Sequence, residues 1–87
     1  MKFQDTATNR TEFFSIGQET DSGRFYLSIP VSNGRVDYEE YFEIDQPSFD
    51  QYLQDLSKAL AFVQQCRNRQ MDHLLIIKPG SNRGTTC

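Results

Sequence analysis

Hydrophobic and polar residues alternate along two runs of the chain that meet at Asn33-Gly34. The runs cover residues 24–32 and 35–45. Alternation with a period of two residues is typical of half-buried strands, and an Asn-Gly pair between two such runs is typical of a two-residue hairpin turn. The sequence therefore predicts a β-hairpin, and the remaining elements are arranged around it.

The predicted turn decides which residues face each other across the hairpin. In this register Ile29 lies opposite Tyr38, and one face of the hairpin is apolar except at Glu40. We predict that this face joins the core. The other face is polar and aromatic, and we predict that it meets water or a partner. Its members are Tyr26, Asp37, Glu39, Tyr41, Glu43 and Asp45.

Glu40 is the one charged residue on the predicted core face. An unpaired carboxylate in a core is strongly destabilising. A β-bulge, or a position at the rim of the sheet, would turn this side chain towards water. A buried functional acid is the alternative, and the sequence leaves both interpretations open.

Two further segments have the pattern of strands. Residues 11–17 place Phe14 and Ile16 on one face, and residues 73–78 contain consecutive large aliphatic side chains, as in strands covered on both faces. Residues 1–11 carry few apolar side chains, so a short strand and a frayed arm both fit them.

A stripe of apolar residues after Pro47 predicts one long amphipathic helix. Proline suits the first turn of a helix, and Ser48 with Gln51 fits a capping box, so two starting points are compatible with the sequence. The helix is expected to end between Arg67 and Gln70. The stripe consists of Phe49, Tyr52, Leu53, Leu56, Leu60 and Val63.

These elements predict an α+β fold with the element order β-β-β-α-β. The sheet is expected to be four-stranded and mostly antiparallel, with strand order 3-2-1-4 and one long helix packed on one face. A chain of 87 residues makes one domain. We assign residues 1–80 to that domain and residues 81–87 to a flexible tail.

Charge is distributed unevenly along the chain, although the net charge is only −3. Residues 36–57 contain seven acids and no Lys or Arg, whereas residues 58–87 contain five bases and one acid. Such asymmetry is typical of an interaction surface, and it is also typical of a charged sheet edge that only prevents aggregation.

The side chains that carry most enzyme chemistry are sparse. His73 is the only histidine, and Cys66 and Cys87 are the only cysteines. No nucleophile–base set or zinc site can be assembled from them, so we predict no enzymatic activity, no metal and no cofactor. The two distant cysteines indicate reduced thiols, and hence a cytoplasmic protein.

Two other classes of protein fit the sequence poorly. The acids that share a face with Tyr26 and Tyr41 would repel phosphate groups, which argues against nucleic-acid binding. No apolar run is long enough to cross a membrane, and the polar start at residues 1–5 does not resemble a signal peptide.

We therefore predict a small acidic interaction module whose tyrosine-bearing strand face binds a positively charged protein, such as a nuclease toxin. Immunity proteins and nuclease inhibitors share this size and charge, which is an analogy and not a sequence match. The alternative is a ligand-binding or enzymatic domain that uses Glu40 with Tyr26 and Tyr41, or the segment Lys78–Arg83. A homodimer is compatible with either function.

Overall fold

The computed structural model describes residues 2–32, 34, 37–78 and 85–86, and within them four strands follow one another before the first helix. Each of these strands pairs with the next in antiparallel orientation, so the sheet order is β1-β2-β3-β4. The predicted α+β class with an antiparallel sheet is confirmed. The strands are β1 (Phe3–Asn9), β2 (Phe14–Glu19), β3 (Phe25–Ser32) and β4 (Asp37–Ile44).

The helical half of the chain is interrupted at Asp55, which corrects the prediction of one long helix. Asp55 has an extended backbone, with φ −152° and ψ 102°, and its carboxylate accepts hydrogen bonds from the backbone N–H and the hydroxyl of Ser57. Aspartate is a favoured N-cap, so it starts a new turn instead of continuing α1. The helical elements are α1 (Gln46–Gln54), a 3₁₀ turn (Leu56–Ala59) and α2 (Leu60–Arg67).

The strand predicted at 73–78 is not formed, and the predicted strand order is corrected with it. Asp72–Leu74 form a short 3₁₀ helix, and Leu75 makes a single antiparallel bridge with Phe42 of β4. The position beside β2 that the predicted order gave to this segment is occupied by β1. A hairpin connects β1 to β2 directly, whereas the predicted strand needed a crossover.

β3 and β4 pair in a register displaced by two residues from the predicted one. Ile29 lies opposite Glu40 instead of Tyr38, and the pairing shows no bulge. The connection is therefore longer than a two-residue turn. Of the predicted Asn33-Gly34 turn, Asn33 lies outside the described residues. A displacement of two residues leaves every side chain on its predicted face, because the strand period is two.

The core lies between one face of the sheet and the helices. Alternate residues of β2, β3 and β4 meet the apolar stripe of α1 and α2 there. Burial raises the pKa of the Cys66 thiol to about 12, so this cysteine fills space and is not a reactive thiolate. The buried residues of this hydrophobic core are Phe14, Ile16, Leu27, Ile29, Val31, Phe42, Ile44, Phe49, Ala59, Val63, Cys66 and Leu75.

The C-terminal segment contributes one further strand. β5 (Thr85–Thr86) pairs with Val31 and Ser32 near the end of β3. The rest of the predicted flexible tail at 81–87 lies outside the described residues. Over the ranges that the structure describes, no helix is both long enough and apolar enough to span a bilayer.

Candidate partner-binding face

The sheet face turned away from the helices, called the outer face below, is polar and aromatic. Its members follow from the strand register, because side chains alternate between the two faces. A shift in the β1–β2 register between Asp5 and Ala7 breaks the alternation in β1. By this register the outer face consists of Phe3, Asp5, Thr8, Ser15, Gly17, Glu19, Tyr26, Ser28, Pro30, Ser32, Asp37, Glu39, Tyr41 and Glu43.

Tyr26 is fully buried on this face, which corrects the prediction that it is exposed. The rings of Phe3 and Tyr41 stack with their centroids 3.6 Å apart. Each of them meets the Tyr26 ring edge-on, at centroid distances of 5.4 Å from Phe3 and 5.0 Å from Tyr41. Phe3 belongs to the segment whose structure the sequence left undecided, and it covers Tyr26 together with Tyr41.

The Tyr26 hydroxyl connects β3 to β1 across β2. It donates a hydrogen bond to Asp5 Oδ1 at 2.5 Å. The phenol lies over Gly17, where an added Cβ would be 2.6 Å from the hydroxyl and would overlap the Gln4 carbonyl oxygen. Burial, reinforced by Asp5, raises the pKa of Tyr26 above its ordinary value of 10.0. Tyr26 therefore remains a hydrogen-bond donor at neutral pH and has a structural role.

Glu39 and Asp5 form an acidic pair on the outer face. Loss of solvent and then the Asp5 carboxylate raise the pKa of Glu39. Loss of solvent, followed by the charges of Glu39 and Asp5, raises the pKa of Tyr41. Among the described residues neither acid has a salt-bridge partner. A cation placed beside this pair would be attracted by both carboxylates.

The other predicted acids occupy three different environments. Asp37 is exposed. Glu43 lies 3.9 Å from Arg24 in a pair with both side chains about half exposed, which contributes little to stability. Asp45 follows β4 and caps α1, accepting a hydrogen bond from Ser48 N at 2.9 Å, and hydrogen bonding to Ser48 lowers its pKa. Asp45 therefore serves the helix and does not share the outer face.

Glu40 projects into the core side of β4 and is only 5% exposed. Arg69 Nη1 lies 2.7 Å from its Oε1 and compensates the buried charge. The predicted bulge or rim position is wrong, because the carboxylate is buried and paired. The alternative site that combined Glu40 with Tyr26 and Tyr41 is not assembled, since both tyrosines project from the opposite face of the sheet.

A groove of about 350 Å³ opens where the β1–β2 turn approaches β3 and β4. Phe13 lies beside this groove and is 59% exposed, and its backbone is left-handed with φ 57°. Sequence reasoning placed Phe13 in a strand and missed the groove, although two adjacent phenylalanines in one strand require one to face outward. The groove is lined by Thr8, Asn9, Arg10, Phe13, Phe14, Ser15, Pro30 and Glu39.

The remaining candidates offer little further chemistry. In the part of the chain that the structure describes, no group of three or more His, Cys, Asp or Glu residues could hold a metal ion. Of the alternative segment Lys78–Arg83, only Lys78 falls within the described residues. Comparisons with protein-family models, with curated proteins and with solved structures found no match to this chain.

Proposed function

We propose that this protein binds a positively charged partner protein through its outer face and acts by covering a basic surface of that partner, as an inhibitor of the immunity type does. The observation that carries the proposal is the acidic pair of Asp5 and Glu39 beside Tyr41. Two carboxylates near one another, with no salt-bridge partner among the described residues, favour the approach of a cation.

The exposed acids of the outer face come from the two outermost strands of the four-stranded sheet, β1 and β4. Asp5 comes from β1, and Asp37, Glu39 and Glu43 come from β4. Arg24 is a distant and solvated partner for Glu43, at 3.9 Å. A surface of this kind steers basic proteins during diffusion and accelerates their association.

Aromatic side chains supply contact area among these charges. Phe3 and Tyr41 are partly buried, so their stacked rings are partly exposed to solvent on the outer face, next to Tyr26. Tyrosine is enriched at the energetic centres of interfaces. The same carboxylates disfavour nucleic acid as the partner, because they would repel its phosphates. The buried free thiol of Cys66 supports a cytoplasmic location.

The test compares two charge reversals, Glu39→Lys on the outer face and Asp50→Lys on α1. Both change the net charge equally, and both residues are exposed. A binding protein is first isolated from extract of the native host on immobilised wild-type protein, and its association rate with each variant is measured by stopped flow at several salt concentrations. We expect Glu39→Lys to slow association about tenfold or more at low salt, and Asp50→Lys to leave it within about twofold.

Two results would contradict the proposal. One is equal association rates for the two variants, since general charge would then explain any binding. The other is an isolated partner with an acidic binding surface. Circular dichroism and thermal melting of both variants establish that a slower rate does not come from unfolding.

A further inference from the structure

We infer that the groove beside Phe13 receives one large apolar side chain of the partner, and that this side chain neighbours a lysine or arginine that reaches Glu39. The inference rests on the proposed function and identifies where the partner is anchored. Its basis is a displayed aromatic ring next to an apolar groove, with a carboxylate on the other side of the groove.

Phe13 is exposed although its backbone has a conformation that is unfavourable for phenylalanine. A left-handed φ of 57° is unfavourable for a bulky side chain, and glycine or asparagine would adopt it more easily. The turn does not depend on the ring, because Asn9 Oδ1 already accepts hydrogen bonds from the N–H groups of Thr11 and Glu12. The Arg67 guanidinium donates to the Glu12 carbonyl and holds the turn against α2. The ring is therefore presented from a fixed position.

The groove itself suits an apolar guest. Phe13 and Pro30 are among its lining residues, and its volume of about 350 Å³ is at the small end of the range of ligand pockets. It is an open groove and not an enclosed cavity, so a side chain projecting from another protein can enter it.

Charge decides the orientation of the guest. Glu39 approaches the groove from β4, and Arg10 approaches it from the β1–β2 turn. These elements lie on opposite sides of the sheet path, so a cation is favoured at the Glu39 side and disfavoured at the Arg10 side. Asp5 adds to the negative potential at Glu39. A partner segment with an apolar residue next to a lysine or arginine would match both the apolar groove and the negative potential at Glu39.

The experiment uses four blocked heptapeptides as probes. They carry Phe or Ala at the centre, and a single Arg or Glu next to it, in an otherwise Gly/Ser background. Binding is followed by amide chemical shifts of the ¹⁵N-labelled full chain. We expect the Phe/Arg peptide to shift the resonances of Ser15 and Glu39, to bind about tenfold more tightly than the Ala/Arg peptide, and to bind more tightly than either Glu peptide.

Two variants separate the ring from the general apolar surface. Phe13→Gly removes the ring and suits the left-handed backbone, so we expect a folded protein of unchanged or higher melting temperature that no longer distinguishes Phe from Ala peptides. Ile77→Gly removes another exposed apolar side chain, 53% exposed, and should retain the distinction.

The outcomes distinguish this inference from the proposed function. Equal binding of the Phe/Arg and Ala/Arg peptides, with both preferred over the Glu peptides, overturns the groove and leaves the acidic face standing. Equal binding of Arg and Glu peptides overturns both. No shift at the groove with any peptide at millimolar concentration overturns the groove assignment. Self-association of the wild-type chain that disappears in Phe13→Gly assigns the groove to a second copy and also overturns it.

Discussion

Arg69 and Glu40 form an ion pair that joins the end of α2 to the core side of β4, with 2.7 Å between Nη1 and Oε1. Arg69 has a φ of 62°, at the position after the helix cap where glycine is usual. Its N–H donates to the Cys66 carbonyl, and the Gln70 N–H donates to the Gln65 carbonyl, which is a Schellman motif. The left-handed backbone of Arg69 is unfavourable for arginine, and it is the conformation in which the guanidinium reaches the buried carboxylate of Glu40.

Removing Arg69 should destabilise the protein because Glu40 would keep its buried charge and lose this ion pair. We expect Arg69→Ala to lower the free energy of unfolding by about 3 kcal/mol. This is the low end of the range for breaking a buried ion pair, because the Arg69 side chain is partly exposed. Arg69→Gly should lose about 1 kcal/mol less, because glycine relieves the left-handed backbone. Urea unfolding followed by circular dichroism measures each value.

The double variant Glu40→Met with Arg69→Gly completes this test. It removes the buried charge, its partner and the backbone strain together, so its stability should return close to that of the wild type. If the double variant were as unstable as Arg69→Ala, the buried charge of Glu40 would not be the cause of the lost stability.

Gly17 should tolerate no side chain. A Cβ there would overlap the Gln4 carbonyl oxygen, which is part of the backbone of β1 and cannot move without breaking the β1–β2 pairing. We expect Gly17→Ala to cost about 3 kcal/mol in the free energy of unfolding. Gly23→Ala is the control: it meets only the end of the Gln18 side chain, at 3.8 Å, and should cost about 1 kcal/mol through its φ of 76°. Similar losses for both variants would contradict the predicted overlap.

Stability should fall in acid because of Glu19. Its carboxylate accepts hydrogen bonds from the Ser22 hydroxyl and from the N–H groups of Lys2, Asp21 and Ser22, which lower its pKa from 4.5 to about 2. A pKa lowered by folding stabilises the protein above the unfolded value, and this contribution disappears as the pH falls from about 4.5 to about 2. Urea unfolding at a series of pH values should show a shallower dependence over this window in Glu19→Gln. The same slope in both proteins would remove Glu19 as the cause.

Stability should also fall in alkali because of Tyr26. Its pKa is higher in the folded protein than its ordinary value of 10.0, so its contribution is complete below pH 10 and declines as the pH rises further. Tyr26→Phe cannot ionise and should be less sensitive above pH 10. In a spectrophotometric titration of the folded protein, Asp5→Asn should lower the pKa of Tyr26, because it removes the negative charge at the phenol. An unchanged titration would mean that burial alone causes the shift.

Alternation along the strands predicted which face each residue of β3 and β4 occupies, although the register was displaced by two residues. Because the strand period is two, a displacement by two residues leaves each side chain on the same face of the sheet. The register itself depends on the conformation of the turn. The break at Asp55 could not be read from the apolar stripe, because the stripe continues through it and only the capping hydrogen bonds to Ser57 reveal it.

The candidate site was harder to predict because it depends on contacts between distant strands. Within its own hairpin Tyr26 is expected to be exposed, and it is buried because Phe3, two strands away, covers it together with Tyr41. The irregular register between Asp5 and Ala7 removes the alternation that would have marked β1 as a strand. Glu39 belongs to the predicted acidic face, but its closeness to Asp5 required the same three-dimensional information.

The chain-order pairing of β1 to β4 has a consequence for how the molecule folds. Each strand finds its neighbour across a short connection, so closing the sheet takes little loop entropy and needs no search for a distant partner. We expect the hairpins to form early and the ion pair of Arg69 with Glu40 to form late, which would appear as a low φ-value for Arg69→Gly in refolding kinetics. The helices would then close over a sheet that is already assembled.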